Sequence, residues 1–363
     1  MHTIPVRLVR GRSHRYDVVV QSGLLEQLPN RLGFLAGGND LFIITDATVN
    51  RLYGRQLARG CDREGVRALV LEVPPGESSK NADLVFRLHT ELLTHGITRR
   101  SLIVAFGGGV IGDLAGFVAA TVLRGVPFVQ VPTTLLAQVD SSIGGKVGID
   151  HPVGKNLIGA FCQPGAVFID PRVLATLPAR QFRNGLAEVV KIAAALDAGF
   201  FSFLVKRRRA VTRTNVRLLE SVIARAVGLK AAVVEKDEFE RDARRSLNLG
   251  HTLGHAIEAA TSYRIQHGEA VSMGMAAEAA IAVSLGLMTR EECGRLYALL
   301  RSLGLPVAFP RIRDRVRFMA ALSMDKKGVR GAPRFVLPAG IGASALGVEV
   351  PPALIDRLLG IGT

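Results

Sequence analysis

The strongest constraint on the fold is a change of rhythm partway along the 363 residues. From Leu41 to about Asp170, short apolar runs alternate with helical patterns, and Leu41–Thr45, Arg67–Val73, Leu102–Phe106, Phe128–Val131 and Val167–Ile169 read as buried strands of a parallel sheet. Between two of them Leu84, Val85, Leu88, Leu92 and Leu93 recur at helical spacing, and Gly96 follows where a left-handed C-cap residue would sit, so a crossover helix is expected. Val6–Val9 and Tyr16–Val20 flank Gly11-Arg12-Ser13-His14 as the arms of an antiparallel hairpin at the sheet edge. After about Pro178 strand signals nearly vanish, and 179–205, 215–235, 248–261, 269–286, 290–303 and 314–323 read as helices. The expected fold class is α/β plus all-α: a parallel-sheet domain over 1–177 and a helical domain over 178–363. With no low-complexity linker between them, a packed joint near 171–180 with a site beside it is expected.

Composition narrows the function classes. The length is more than twice the roughly 150 residues of a typical domain, and 48% hydrophobic with 21% charged residues fills an ordinary core, which excludes a small stapled module and a disordered chain. Apolar windows such as 110–123 are broken by Asp113 and fall short of the about 18 residues a membrane span needs, and Met1–Arg15 has no signal-peptide core. No membrane partner is expected. Cys61, Cys162 and Cys293 have no metal or disulfide spacing, which fits a reducing cytoplasm. The net charge of +15 suits an anionic partner, but the chain has no Trp, four Tyr and no basic stretch interleaved with aromatics, so nucleic acid is not expected and a small anionic substrate is. Lys206-Arg-Arg-Arg209 reads as a solvated helix face.

Gly107-Gly-Gly-Val-Ile-Gly-Asp113 follows a strand and opens a helical stretch, the context in which backbone amides meet a pyrophosphate. The same glycines could serve close strand–helix packing, and no acidic residue stands between Leu114 and Val139 to take a ribose. Asp46, the Pro75-Gly76-Glu77-Ser78-Ser79-Lys80 turn and Thr133-Thr134 would lie at the same carboxyl edge of the sheet, where ligands of such sheets collect.

His251, His255 and His267 fall in one short region, the first two four apart and therefore on one helix face. Zinc favours imidazole nitrogen, a catalytic site commonly keeps three protein ligands, and Glu188 is a candidate carboxylate from another helix. Helix capping or core hydrogen bonding is the alternative use of these histidines. If the helix begins early enough, Arg244, Asn248, His251 and His255 line one polar stripe suited to a cleft.

Taken together, Arg124-Gly, Gln130-Val-Pro-Thr-Thr-Leu-Leu-Ala-Gln-Val-Asp-Ser-Ser-Ile-Gly-Gly-Lys146, His151-Pro-Val-Gly-Lys-Asn156, Ala187-Glu-Val-Val-Lys191, Leu247-Asn-Leu-Gly-His-Thr-Leu-Gly-His-Ala-Ile-Glu258 and His267-Gly-Glu-Ala-Val271 resemble the 3-dehydroquinate synthases. The match runs in order from the strand before Asp46 to Asp325-Lys-Lys327. It implies a Rossmann-like NAD-binding first domain, a helical metal- and substrate-binding second domain, one divalent zinc or cobalt, and a homodimer. The implied substrate is 3-deoxy-D-arabino-heptulosonate 7-phosphate. Its C5 hydroxyl would be oxidised to a ketone with NAD as transient oxidant, the acidified C6 proton would leave with phosphate by β-elimination, and re-reduction, ring opening and an intramolecular aldol addition would close the carbocycle.

By motif the resemblance assigns the metal to Glu188, His251 and His267, with His255 beside it. It assigns substrate and catalytic positions to Asp140, Lys146, Asn156, Lys191, Lys230, Arg244, Asn248 and Lys326, with Arg124 from the partner subunit. Cofactor contacts fall to Asp46, the Pro75–Lys80 turn, Gly109, Val110, Ile111, Gly112, Asp113, Thr133, Thr134, Lys146, Lys155 and Thr176. A substrate carrying carboxylate and phosphate suits such a cationic set, because arginine forks and lysine charges neutralise both groups. The chain departs from the family at Val147, Asp150, Ala193 and Asp242; the last is tolerable in a left-handed conformation, which Asp visits more readily than most residues.

Three other readings compete. A metal-dependent polyol dehydrogenase would release NADH and would not need Lys146, Lys191, Lys230 and Arg244; a sibling sugar phosphate cyclase would need most of them. A catalytically silent paralogue would not need intact ligands and acid–base groups.

Overall fold

The computed structural model describes residues 1–8, 14–324 and 333–358. The chain divides into two compact units, Met1–Leu177 with Val216–Glu238, and Pro178–Asn215 with Phe239–Thr363.

The first unit is built on a seven-stranded sheet. In chain order it contains β1 (His2–Leu8), β2 (His14–Val20), α1 (Leu24–Ala36), β3 (Leu41–Asp46), α2 (Arg55–Arg63), β4 (Ala68–Val73), α3 (Ala82–Thr94), β5 (Leu102–Gly107), α4 (Gly109–Thr121), β6 (Phe128–Pro132), β7 (Lys146–His151), β8 (Gly154–Phe161) and β9 (Ala166–Ile169). The sheet order is β1-β2-β9-β6-β5-β3-β4. All neighbours are parallel except β1, which pairs antiparallel with β2 from His2↔Val20 to Leu8↔His14. Residues 9–13 of the expected hairpin turn lie outside the described residues.

Both faces of the sheet are buried, which is why its strands read as unbroken apolar runs. Phe42 and Ile44 pack with Leu88, Leu114 and Val118 on one face, while Leu41 and Ile43 pack with Leu28, Leu32 and Phe106 on the other. That alternation follows from the two-residue period of a strand. β7 and β8 form a separate antiparallel hairpin that the sequence reading left without strands. Gly148 faces Gly159 across the pair, where a Cβ at either would lie 2.6 Å or less from the opposite backbone.

The second unit begins with α5 (Ala179–Leu196) and α6 (Ala198–Arg207), separated at Asp197. That residue is extended and its carboxylate accepts from Phe200 N–H at 2.9 Å, so the expected single helix over 179–205 is two. The next helix, α7 (Val216–Lys236), returns to the first unit and packs on β1. Glu235 accepts from the Arg7 backbone N–H at 2.8 Å, and Glu220 accepts from Ser22 N–H and Oγ–H at 2.8 and 2.6 Å. The expected second domain, 178–363, is therefore interrupted by a helix of the first. Periodicity shows that 215–235 is a helix but not which neighbour it buries its apolar face against.

The second unit continues with α8 (His251–Ala260), α9 (His267–Ser284), α10 (Arg290–Ser302), α11 (Arg315–Met324), β10 (Arg334–Pro338), β11 (Ser344–Glu349) and α12 (Pro352–Leu358). The β10–β11 hairpin corrects the expectation of an all-helical second half. α8 starts later than the 248–261 reading. Gly250 is left-handed at φ 79° and 243–248 form a separate 3₁₀ turn, so Arg244 and Asn248 do not continue the stripe of His251 and His255. No helix among the described residues is long and apolar enough to cross a membrane.

Candidate active site

In the first unit the residues expected to contact a cofactor follow the carboxyl ends of the parallel strands. Asp46 closes β3, and its Oδ1 accepts from Thr48 and Val49 N–H at 2.9 and 3.0 Å. Pro75–Lys80 follows β4 as a tight turn whose Ser79 hydroxyl donates to the Pro74 carbonyl at 2.6 Å. Gly107–Asp113 follows β5, with Gly109, Val110, Ile111 and Gly112 as the opening turn of α4. A Cβ on Gly112 would stand 2.7 Å from Gln130 Oε1, so this glycine lets α4 lie close to β6. The loop therefore serves packing as well as leaving backbone amides at a helix start. Thr133 N–H donates to the Gly107 carbonyl at 2.8 Å, Thr134 Oγ1 accepts from Ala137 N–H at 3.2 Å, and Thr176, in the turn after β9, meets the Tyr53 hydroxyl at 2.7 Å.

A polar network joins several of these positions. Lys80, 3% exposed, donates to Asp113 at 2.8 Å, also bonds Asn156 Oδ1, and lies 3.7 Å from Glu77; Lys155 lies 3.7 Å from the same Glu77 oxygen. Burial opposes the Lys80 charge, but Asp113 and Glu77 outweigh it and raise its pKa. Asp150 accepts from Asn156 N–H at 2.9 Å, which holds Asn156 at φ 56°. Asp150 thus fills a defined role at a position where the chain departs from the family pattern. Val147, another departure, is buried against Gly116. Lys146 opens β7 and is exposed.

Lys230, on α7, donates to Asp140 through Oδ1 at 2.5 Å and the backbone carbonyl at 2.7 Å, so these two substrate candidates form a pair inside the first unit. Arg124 is exposed at φ 64°, directly after Leu123 at φ 51°. Two consecutive left-handed non-glycine residues are strained.

In the second unit Glu188 on α5, His251 at the start of α8 and His267 at the start of α9 each offer a ligand atom, all within 4.8 Å of one another. Glu188 Oε1 is 3.3 Å from His267 Nε2 and 3.8 Å from His251 Nε2, while Oε2 is 2.5 Å from Lys191 Nζ. Glu188 is fully buried, yet neither oxygen accepts a hydrogen bond of good geometry. A buried carboxylate without aligned donors, facing two imidazole nitrogens, fits a divalent cation of the zinc or cobalt kind.

Burial alone would raise Glu188, but Lys191, His267 and His251 hold it well below the usual carboxylate range. Burial and the Lys191 ammonium hold His251 well below its ordinary value, in the neutral form that ligates metal. Burial also opposes charge on His267, but the flanking Glu188 and Glu258 outweigh it and push it up to about 10.

His255 is exposed and edge-on to His251, ring centroids 5.1 Å apart. Lys191 and Arg244 are buried cations, 2% and 3% exposed. Asn248 donates to Glu240 at 2.7 Å. Sequence reasoning passed over Glu240, which is buried and left-handed at φ 56°. Its signal was a carboxylate four residues before Arg244 and eight before Asn248. Asp242 has φ −148°, so the left-handed condition under which it would be tolerated does not arise; the left-handed residue of this stretch is Glu240. Ala193 is buried on α5, and Lys326 lies outside the described residues.

The whole chain superposes on 2-epi-5-epi-valiolone synthase from Streptomyces hygroscopicus, solved with NAD+ and Zn2+, at a TM-score of 0.88 with 33% identity, covering 97% of this chain and 98% of that one. It also superposes on 2-deoxy-scyllo-inosose synthase, solved with carbaglucose-6-phosphate, NAD+ and Co2+, at a TM-score of 0.88 with 28% identity over 99% of each chain. The fold is that of the sugar phosphate cyclases. Residues 70–184 match the family described as 3-dehydroquinate synthase N-terminal, and 185–328 that described as 3-dehydroquinate synthase C-terminal. A 3-dehydroquinate synthase from Pelotomaculum thermopropionicum is 45% identical over 95% of this chain and 93% of its own length. The chain belongs to the 3-dehydroquinate synthase family and is a phosphate-eliminating cyclase.

Proposed function

We propose that the chain converts 3-deoxy-D-arabino-heptulosonate 7-phosphate to 3-dehydroquinate and phosphate with one NAD, recycled in each turnover, and one zinc or cobalt ion held by Glu188, His251 and His267. The observation that carries this reading is the buried, unaligned Glu188 carboxylate facing two imidazoles, beside the buried Lys191 ammonium, a cation that a neutral alcohol would not need. When bound, NAD supplies a reversible two-electron oxidation and the metal a Lewis-acidic centre for the substrate oxygens.

The chain's own residues bind, orient and move protons. Arg244, as a planar fork, and Lys191, as a point charge, neutralise a carboxylate and a phosphate. Lys230, oriented by both Asp140 oxygens, adds a third fixed cation. Asn248, held by Glu240, presents an amide to substrate oxygens. His255, exposed beside the ligand cluster, is the acid–base group offered to the substrate. Asp46, Pro75–Lys80, Gly109–Asp113, Thr133, Thr134, Lys155 and Thr176 take the cofactor at the strand ends, with Lys146 and Asn156 contributing from the β7–β8 hairpin. A homodimer in the cytoplasm, with Arg124 reaching the partner's substrate, completes the reading. Its support is that Arg124 is exposed on a strained left-handed turn.

The test mixes purified chain, NAD, zinc or cobalt and the heptulosonate phosphate. Phosphate should appear without net NADH, and release no faster than in a metal-stripped control rejects the assignment. Steady NADH formation from simple polyols would favour a dehydrogenase instead.

A further inference from the structure

Glu258 lies on α8 seven residues beyond His251, on the same helix face, and its Oε2 stands 3.1 Å from His267 Nδ1. The carboxylate is 5% exposed. A buried carboxylate at hydrogen-bond distance decides which imidazole nitrogen carries the proton. With Nδ1–H donating to Glu258, Nε2, the atom 3.3 Å from Glu188, is the nitrogen whose proton a bound metal would displace. His251 is arranged alike: Nδ1 lies 3.2 Å from the Leu249 carbonyl, and Nε2 faces Glu188. Both rings are tied at Nδ1 and aimed at Nε2, one by a neutral carbonyl and one by an anion.

We propose that Glu258 is a positioning residue for the metal, fixing the tautomer and plane of His267 and strengthening its Nε2 as a donor. The inference rests on the reading of Glu188, His251 and His267 as ligands. An anionic acceptor on Nδ1 places more electron density on Nε2 than a carbonyl does, and such outer partners set the metal affinity of a site. The contact also joins the two helices that carry the imidazole ligands. The chain reverses between them through Ser262 and Tyr263, left-handed at φ 51° and 58°, and the Glu258–His267 bond closes that reversal. A purely structural Glu258 would explain the closed turn, but not why the carboxylate meets the nitrogen opposite the ligand cluster.

The experiment uses the full chain, stripped with a chelator and titrated with Zn2+ against a chromophoric competitor, as wild type, Glu258→Gln and Glu258→Ala. Loss of the outer carboxylate should weaken zinc binding about 10- to 100-fold in Glu258→Ala. Glu258→Gln should lose less, because its amide oxygen still accepts from Nδ1–H without the charge. With Co2+ instead, the visible ligand-field bands of both variants should shift, a readout that turn closure alone would not move. A loss confined to the alanine variant, with Glu258→Gln binding zinc as wild type does and showing wild-type cobalt bands, also overturns the proposal, because the charge would then add nothing to Nε2. Wild type that binds zinc while both variants bind within twofold, with unchanged cobalt bands, overturns the inference and leaves the ligand reading standing. Wild type that binds no zinc overturns both. Should Glu258→Ala fail to fold, Glu258→Gln decides by its zinc affinity and cobalt spectrum.

Discussion

Lys80 Nζ and Asp113 Oδ2 form a 2.8 Å ion pair, and the same ammonium reaches Asn156, so one buried cation ties the turn after β4, the glycine-opened helix and the β7–β8 hairpin together. The Lys80 carbonyl reinforces the tie by accepting from Asp150 N–H at 2.8 Å. Removing the charge in Lys80→Met leaves Asp113 without its cation. Because Asp113 keeps 20% of its exposure, the cost should sit below the full buried-pair value, at about 2 kcal/mol. NAD affinity should fall about tenfold, equivalent to 1.4 kcal/mol. Urea unfolding and NAD titration measure the two effects, and unchanged values in both would dismiss the network as decoration.

Asp113 also sets a pH dependence. Burial first, with Glu77 and Asp150 adding to it, pushes its carboxyl up to about 6 from 3.8 despite Lys80. Between those values the unfolded chain releases the proton while the folded chain keeps it, so rising pH lowers stability across this window and the penalty is complete above pH 6. The loss should be on the order of 3 kcal/mol. Asp113→Asn cannot titrate there, so its stability relative to wild type should climb between pH 4 and 6 and then level off. Parallel stability curves for the two proteins would show that this carboxyl does not titrate in the window.

What was legible in the sequence follows from burial. Leu41–Thr45 and Leu102–Phe106 announced themselves because both faces of their sheet are covered. β8 did not, since Leu157, Ile158 and Phe161 are exposed and its glycines imitate a loop. The pattern 244, 248, 251, 255 suggested one stripe, but a single left-handed Gly250 ended it, and the polar face continues instead from His255 to Glu258. Residue type alone does not reveal that break, because glycine also occurs within helices. Glu188, His251 and His267 were visible as ligand-type residues; that their atoms converge depends on the packing of α5, α8 and α9, which no local pattern contains.

That packing has an anchor in Glu278. The residue is fully buried on α9, and its carboxylate accepts from Gly250 N–H at 2.5 Å and approaches Leu253 N–H at 3.4 Å, occupying the start of the helix that carries His251. The backbone amides there have no intrahelical partner and the helix dipole favours an anion. Glu278→Ala should cost about 2–3 kcal/mol. It should also weaken zinc binding by loosening His251. A variant as stable as wild type in urea would remove the anchor role.

Two glycine substitutions should move stability in opposite directions. At Gly274 a Cβ would stand 2.1 Å from the Gly250 carbonyl oxygen, so Gly274→Ala must push α8 from α9 and should cost about 1–3 kcal/mol. At Gly228, inside α7, a Cβ meets nothing within 4 Å, so Gly228→Ala should stabilise by about 0.5–1 kcal/mol through helix propensity. Thermal unfolding of the pair reads both signs. Equal shifts would mean that close approach of α8 and α9 is not what requires glycine at 274.

The ligand set makes the sharpest demand. His251→Ala removes one of two imidazoles and leaves a carboxylate and a single nitrogen, too few for the three protein ligands of a catalytic zinc site. Metal content measured after desalting should fall from about one ion per chain to near zero. Phosphate release should vanish with it. The fold should survive, because His251 sits at the first position of α8 and the helix start is held by Glu278, so the unfolding midpoint of the stripped variant should match that of stripped wild type within a few degrees. Metal retained at full stoichiometry would move the ion elsewhere, and the second grouping, His255, Glu258 and His267, would be the place to look for it.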